Sequence, residues 1–295
     1  MKHKICFQLL LAAPLLAAPL HAEAQLPSPD NTVLVACHRG DWRHFPENSI
    51  PSFESCIAMG ADIIELDVRR TRDSVLVVCH DKSVDRTTDG KGFISSMTLA
   101  QIKSLRLKNL MNPKDTATVR MPTLREAFEC CKGRIMINVD KGFDYYREVS
   151  LLADSLGMTD QVIIKSSKPA AKVMKTLSSD SNPLPYIQVV SLNTKASRKA
   201  IAEMLGSDFR PYGYEVCWKK RGINVSRHTK AIAATGAVIW LNSMWPGLSG
   251  RLSDNKALKS PNKVYGRMLS LGVYVIQTDR PEELLAYLRS LGRHK

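Results

Sequence analysis

The sequence predicts an α/β protein built as one (β/α)8 TIM barrel, with a small insertion subdomain after an early β-hairpin. Three observations carry this expectation. Nine short apolar runs alternate with stretches of helical pattern along most of the 295 residues. Several runs are apolar throughout and rich in Val and Ile, as in a parallel sheet buried on both faces. One gap between runs is too short for a parallel crossover, and that gap reduces nine runs to eight barrel strands.

The chain starts with a segment expected to lie outside the fold. Met1 to Lys4 is short and basic, Ile5 to Leu20 is apolar, and Ala22-Glu23-Ala24 fits a small-x-small cleavage site. Residues 1–24 are therefore expected to be a signal peptide, and 25–295 the barrel domain, exported across the inner membrane to the periplasm. A membrane anchor is the weaker reading, because Pro14 and Pro19 interrupt a segment shorter than a usual span. No other stretch is apolar enough for a transmembrane segment in the mature chain.

The nine runs are Val33–His38, Asp62–Val68, Val75–His80, Ile135–Asp140, Val162–Ser166, Tyr186–Val190, Gly213–Cys217, Val238–Leu241 and Val273–Gln277. Helical patterns cover 47–59, 143–156, 169–178, 195–205, 227–235, 255–270 and 281–290. Only Arg69 to Ser74 separates the second run from the third. A parallel crossover needs about a dozen residues. These two runs must form an antiparallel hairpin turning near Arg72-Asp73-Ser74, which returns His80 to the level of Glu65 and Asp67. Residues 81–122 are too long for an ordinary connection, and read as an insertion over the barrel mouth with a short helix near 98–105. Thr123 is a plausible N-cap for the helix that follows.

Composition sets wide limits. Apolar residues at 44% and charged residues at 24% imply a packed core. The net charge is +14, and about +13 remains after the leader is removed. A basic surface attracts phosphate esters, but Lys and Arg are scattered and no nucleic-acid-binding motif is present, so no nucleic acid partner is expected. Six cysteines remain, most inside apolar runs, where buried free thiols are expected.

The chemistry-bearing residues fall at strand ends. His38 and Arg39 close the first strand, and Gly40 permits a sharp turn. His80 and Asp81 close the hairpin. Two histidines facing one phosphodiester suit acid–base catalysis, one assisting attack and the other protonating the leaving alkoxide, with the two roles unassigned. Glu65 and Asp67, two apart, share a strand face. Such a pair needs neutralising, either by a divalent cation, Ca2+ or Mg2+, or by arginines such as Arg69 and Arg70. Asp140 offers a third metal ligand. Arg39 can fork onto phosphate, and Lys141 and Lys165 could reach phosphate or stand as solvated surface groups. Trp240 reads either as core or as an apolar, cation–π wall for substrate.

Together these residues resemble the glycerophosphodiester phosphodiesterase family over nearly all of 33–290. The resemblance rests on His38-Arg39-Gly40, Pro46-Glu47-Asn48-Ser49, Glu65-Leu66-Asp67, His80-Asp81, Thr87-Thr88-Asp89-Gly90, Pro122-Thr123-Leu124, the Trp240 strand and Thr278-Asp279-Arg280-Pro281. It implies a (β/α)8 barrel with an inserted subdomain and one divalent cation. It further implies hydrolysis of a small-molecule glycerophosphodiester to glycerol 3-phosphate and an alcohol. By position, His38 and His80 take the acid–base roles, Glu65 and Asp67 the metal roles, and Arg39 the phosphate. The chain departs from the family's Glu-x-Lys on the third barrel strand, reading Asn138-Val139-Asp140-Lys141-Gly142. Asp140 then replaces the glutamate with a shorter reach. Lys141 comes one place early and should face away from Asp140 on a regular strand. A lyase or phospholipase D-like enzyme releasing a cyclic phosphate, and a non-catalytic phospho-ligand binder, are the alternative readings of the same residues.

Overall fold

Eight parallel strands close into a barrel in the computed structural model, which describes residues 31–115, 117–219 and 222–295. The expected signal peptide lies outside the described residues. The strands are β1 (Leu34–His38), β2 (Ile63–Arg70), β3 (Leu76–Val78), β4 (Met136–Asp140), β5 (Val162–Ser166), β6 (Tyr186–Ser191), β7 (Gly213–Cys217), β8 (Val238–Asn242) and β9 (Val275–Thr278). β1 pairs in parallel with both β2 and β9, which closes the ring, and β3 alone runs antiparallel, against β2. The hairpin expected from the six-residue gap is therefore present. Its return arm is shorter than expected. β3 ends at Val78, and the chain continues beside β2 through one bond, from the Cys79 amide to the Asp67 carbonyl (2.9 Å).

The helices are α1 (Ile50–Ala58), α2 (Leu99–Ser104), α3 (Leu124–Cys131), α4 (Tyr146–Ser155), α5 (Ala170–Leu177), α6 (Lys195–Leu205), α7 (Val225–Ala233), α8 (Asp254–Ala257), α9 (Arg267–Leu269) and α10 (Pro281–Ser290). Thr123 caps α3, accepting from the Glu126 amide while the Glu126 carboxylate accepts from the Thr123 amide. Such reciprocal caps satisfy amides that a helix start leaves unpaired. The single helix expected over 255–270 is broken. Pro261 has no amide hydrogen to continue α8, and a π-helical turn at Asn262–Gly266 leads into α9.

Alternation along the strands sorts side chains into two sets. Outward-facing residues such as Cys37, Ile64, Leu66 and Ile137 pack beneath the helices with Phe53, Cys56 and Phe128. Inward-facing Leu34, Ala36, Ile63, Ile163, Ile187, Trp240 and Val275 fill the barrel as an apolar plug. Truncating a fully buried anchor such as Phe53 to Ala should cost about 3–5 kcal/mol. The cysteines among the described residues are free thiols, and Cys37, Cys56, Cys79 and Cys131 are buried.

Residues 79–122 build a small core of their own, in which Cys79, Val84, Ile94, Ile102, Leu107 and Met121 pack on Val77. This segment also meets the loop after β1, where the Asn109 side chain donates to the His44 carbonyl (2.9 Å).

Candidate active site

Above the apolar plug, the inward-facing positions turn polar. A cavity of about 430 Å³ opens there, lined by His38, Arg39, Glu65, Asp67, His80, Asp140, Lys141 and Lys165 among others. Strand register makes the gathering possible. His38 pairs with Glu65 across β1 and β2, and Asp67 pairs with Asp140 across β2 and β4.

The carboxylates of Glu65, Asp67 and Asp140 lie within 4.8 Å of one another. Three hard oxygen donors this close suit a hard divalent cation. Burial, then the Asp67 charge, push the Glu65 carboxyl up to about 7. Asp140 goes the other way. Burial would raise it, but the Lys165 and Lys141 ammonium groups outweigh that and hold it at about 2. Asn48 fixes Asp67 from below, its amide donating to Oδ2 (3.1 Å). The alternative in which Arg69 and Arg70 neutralise the pair does not hold. Arg69 donates to the carbonyls of His80 and Asp81, and Arg70 pairs with Glu148.

Each histidine is tied to an aspartate through Nδ1. His38 meets Asp279 Oδ1 at 2.7 Å, and His80 meets Asp81 Oδ1 at 2.6 Å. With Nδ1 engaged, Nε2 is left for the cavity that both rings line. Burial works against a charge on His38, but the Asp279 hydrogen bond and the Glu65 charge prevail, and its basicity is raised.

Arg39 donates its amide to Glu65 (3.1 Å) and its Nη1 to Glu47 (3.1 Å), with Nε 3.6 Å from Asp67. Gly40 behind it has φ +75°, and a Cβ there would lie 2.3 Å from Ser52 Oγ. Arg39, Asn48 and Lys141 all carry positive φ, near 58°, 55° and 61°. Left-handed non-glycine residues cost energy, and three of them here mark a strained rim.

Two expectations need correcting. Lys141 does not face away from Asp140. The strand ends at Asp140, and the left-handed turn at Lys141 swings its Nζ back onto Asp67 and onto Asp140 Oδ2 (3.3 Å). The parity rule fails because the backbone there is no longer extended. Trp240 is no substrate wall. It is 0% exposed, one layer below the cavity, and donates to Asn242 (3.1 Å) and Gln277 (3.2 Å). Lys165 Nζ lies 5.5 Å above its ring and 3.2 Å from Glu215. Burial would lower the Lys165 pKa, but Glu215, Asp140 and Glu65 together raise it, so a fixed positive charge sits under the cavity.

The aromatic at the mouth is Trp245, 45% exposed, whose ring meets that of His38 edge-on at 5.8 Å. No periodicity in the sequence singles it out, because it stands on a loop. Asp279 and Glu47 were also missed as site residues, although both lie inside quoted motifs. Asp279 comes directly after β9, and it meets His38 only because β9 pairs with β1.

The glycerophosphoryl diester phosphodiesterase family model matches residues 38–212, and a domain of unknown function matches 186–288. A glycerophosphodiester phosphodiesterase of Caldanaerobacter subterraneus is 45% identical over 108 residues, covering 36% of this chain and 44% of that one. One from Bacillus subtilis is 32% identical over 200 residues, covering 60% and 65%. The chain thus spans less than two thirds of the length of either relative. Among solved structures, a glycerophosphoryl diester phosphodiesterase from Parabacteroides distasonis has a TM-score of 0.73 at 24% identity, covering 90% of this chain and 89% of that one. An Oleispira antarctica phosphodiesterase solved with the product sn-glycerol-3-phosphate has a TM-score of 0.66 at 20% identity, covering 88% and 97%. At these identities the two structures establish the barrel fold.

Proposed function

Because the chain belongs to the glycerophosphoryl diester phosphodiesterase family, we propose that it is a metal-dependent phosphodiesterase. It hydrolyses glycerophosphodiesters to glycerol 3-phosphate and an alcohol. The observation that carries this reading is the convergence of two histidines and three carboxylates on one cavity.

Glu65, Asp67 and Asp140 would hold the divalent cation, which supplies charge to neutralise the phosphate oxygens. Arg39, Lys141 and Lys165 surround the same space with positive charge and orient the diester. His38 and His80 face it with Nε2. One accepts a proton from the attacking water and the other donates one to the leaving alkoxide. Trp245 and its neighbours Met244 and Leu248 line the outer wall, where the alcohol would leave.

The test is hydrolysis of glycerophosphocholine, glycerophosphoethanolamine and glycerophosphoinositol, with and without EDTA. Glycerol 3-phosphate should form, and chelation should stop it. Activity that survives in a His38→Ala, His80→Ala double variant would sink the assignment. An early cyclic phosphate would move it to the lyase class. The expected periplasmic location has its own check, which is N-terminal sequencing of exported protein, expected to begin at Gln25.

A further inference from the structure

The His38 ring is held by more than its strand. Asp279 follows β9, and its Oδ1 accepts from His38 Nδ1 (2.7 Å) and from the Trp42 indole (2.8 Å). Its backbone is clamped as well. The Asp279 amide donates to Asp254 Oδ2 (2.7 Å), and Arg43 Nε donates to the Asp279 carbonyl (3.0 Å). Asp254 is fixed in turn by the Tyr265 hydroxyl, which donates to Oδ1 (3.1 Å). One carboxylate is thus located from several sides by β9, by the loop after β1 and by α8.

From this geometry we propose that Asp279 is the positioning residue for His38, and that the Trp42 and Asp254 contacts exist to aim it. An imidazole has two broad ring orientations about its second torsion, and either nitrogen can carry the proton in the neutral form. A fixed acceptor at Nδ1 selects one of each. It keeps the proton on Nδ1 and presents Nε2 to the phosphodiester. Trp245 packs edge-on against the same ring and narrows its freedom further. Proton transfer needs the ring nitrogen within hydrogen-bond reach and in the right protonation state, so rotation or the wrong tautomer stops the step. Asp279 reaches no part of the cavity lining itself. It acts only through His38, and the inference rests on the phosphodiesterase reading above.

The experiment compares Asp279→Asn, Asp279→Ala and Asp279→Glu with His38→Ala and with a His38→Ala, Asp279→Asn double variant. By the measure of catalytic triads that lose their orienting carboxylate, Asp279→Asn should lower kcat by roughly 10²–10⁴-fold. KM should stay within about threefold, because substrate binding is not its task. Asp279→Glu should recover part of the loss. The double variant should be no slower than His38→Ala by more than about twofold, since residues acting as one unit are not additive. Either kcat within about threefold of the parent, or a further tenfold loss in the His38→Ala background, would overturn the proposal. A structural role alone would give such an additive loss.

Nitrogen-15 NMR of His38 in the parent protein supplies a readout that needs neither activity nor a variant. The neutral ring should carry its proton on Nδ1. A ring protonated mainly on Nε2 would overturn the proposal even if catalysis is seen. If no glycerophosphodiester is turned over, the functional reading fails, and the NMR result still decides the orientation of His38.

Discussion

The two histidines of the cavity have the same chemical partner and opposite settings. His38 ends a barrel strand, is buried, and leans on an aspartate that is itself hydrogen-bonded to two neighbouring elements. His80 hangs on the return arm of a hairpin, with 37% of its side chain exposed. Its partner Asp81 is the next residue in the chain, and Arg86 holds that carboxyl down to about 2. Arg86 also binds both oxygens of Glu47 (2.5 and 2.8 Å), which ties the hairpin to the loop carrying Arg39's partner. One histidine is therefore positioned by the scaffold and the other by the insertion. A rigid element fixes geometry more tightly than a loop. His38 is the part of the site held by the barrel, and His80 the part held from the insertion through Asp81 and Arg86.

The strongest way to break this comparison is to remove each ring. His38→Ala and His80→Ala should each lower kcat by about 10²–10⁴-fold, as expected for acid–base groups. A substrate with a nitrophenolate leaving group should rescue only the variant that has lost the proton donor. Rescue of both would mean that neither ring serves the leaving group in particular.

Backbone substitutions should separate scaffold from insertion next. Gly40→Ala combines a left-handed φ with a Cβ set against Ser52, and should cost about 2–4 kcal/mol. Gly90→Ala, in the insertion, has no positive φ and its Cβ would press first on the flexible Leu105 side chain, so it should cost about 1–2 kcal/mol. Denaturant unfolding checks the order, and equal losses would remove the distinction.

A smaller effect concerns the cation. The Glu65 carboxyl, raised to about 7, is protonated below that value in cation-free protein. Because its folded pKa lies above the unfolded one, cation-free stability should fall as pH rises from about 4.5 to 7. Cation binding needs the ionised form. It should release up to one proton at pH 6, and the affinity should rise up to about tenfold per pH unit until it levels above pH 7. Calorimetry in two buffers of different ionisation enthalpy measures the proton count. The smallest effect expected is that of Arg86→Ala. It should shift stability by no more than about 1 kcal/mol, because Arg86 is partly exposed. It should slow turnover by about tenfold while leaving the His38 tautomer unchanged.

Much of this site was legible along the chain, for reasons that can be named. Glu65 and Asp67 share a face because a strand alternates with period two, and no later contact alters that. The six residues from Arg69 to Ser74 forbade a crossover, so His80 had to return beside β2. The same parity rule misled at Lys141, where the backbone leaves the extended region at the first residue after β4. Trp240 was drawn toward the substrate by its residue type, whereas its depth in the barrel, set by the stagger of eight strands, buries it below the cavity. Asp279 lies 241 residues from His38, and no local signal couples them.

By itself, then, the sequence determined the elements, their order, the hairpin and the inward face of each strand. These follow from periodicities and loop lengths acting over a few residues. Only the tertiary structure decided which inward residues reach the cavity, which histidine is anchored by which carboxylate, and where Lys141 points. Those outcomes depend on barrel closure, which brings β9 against β1 and sets the height of every side chain relative to strands far away in the chain.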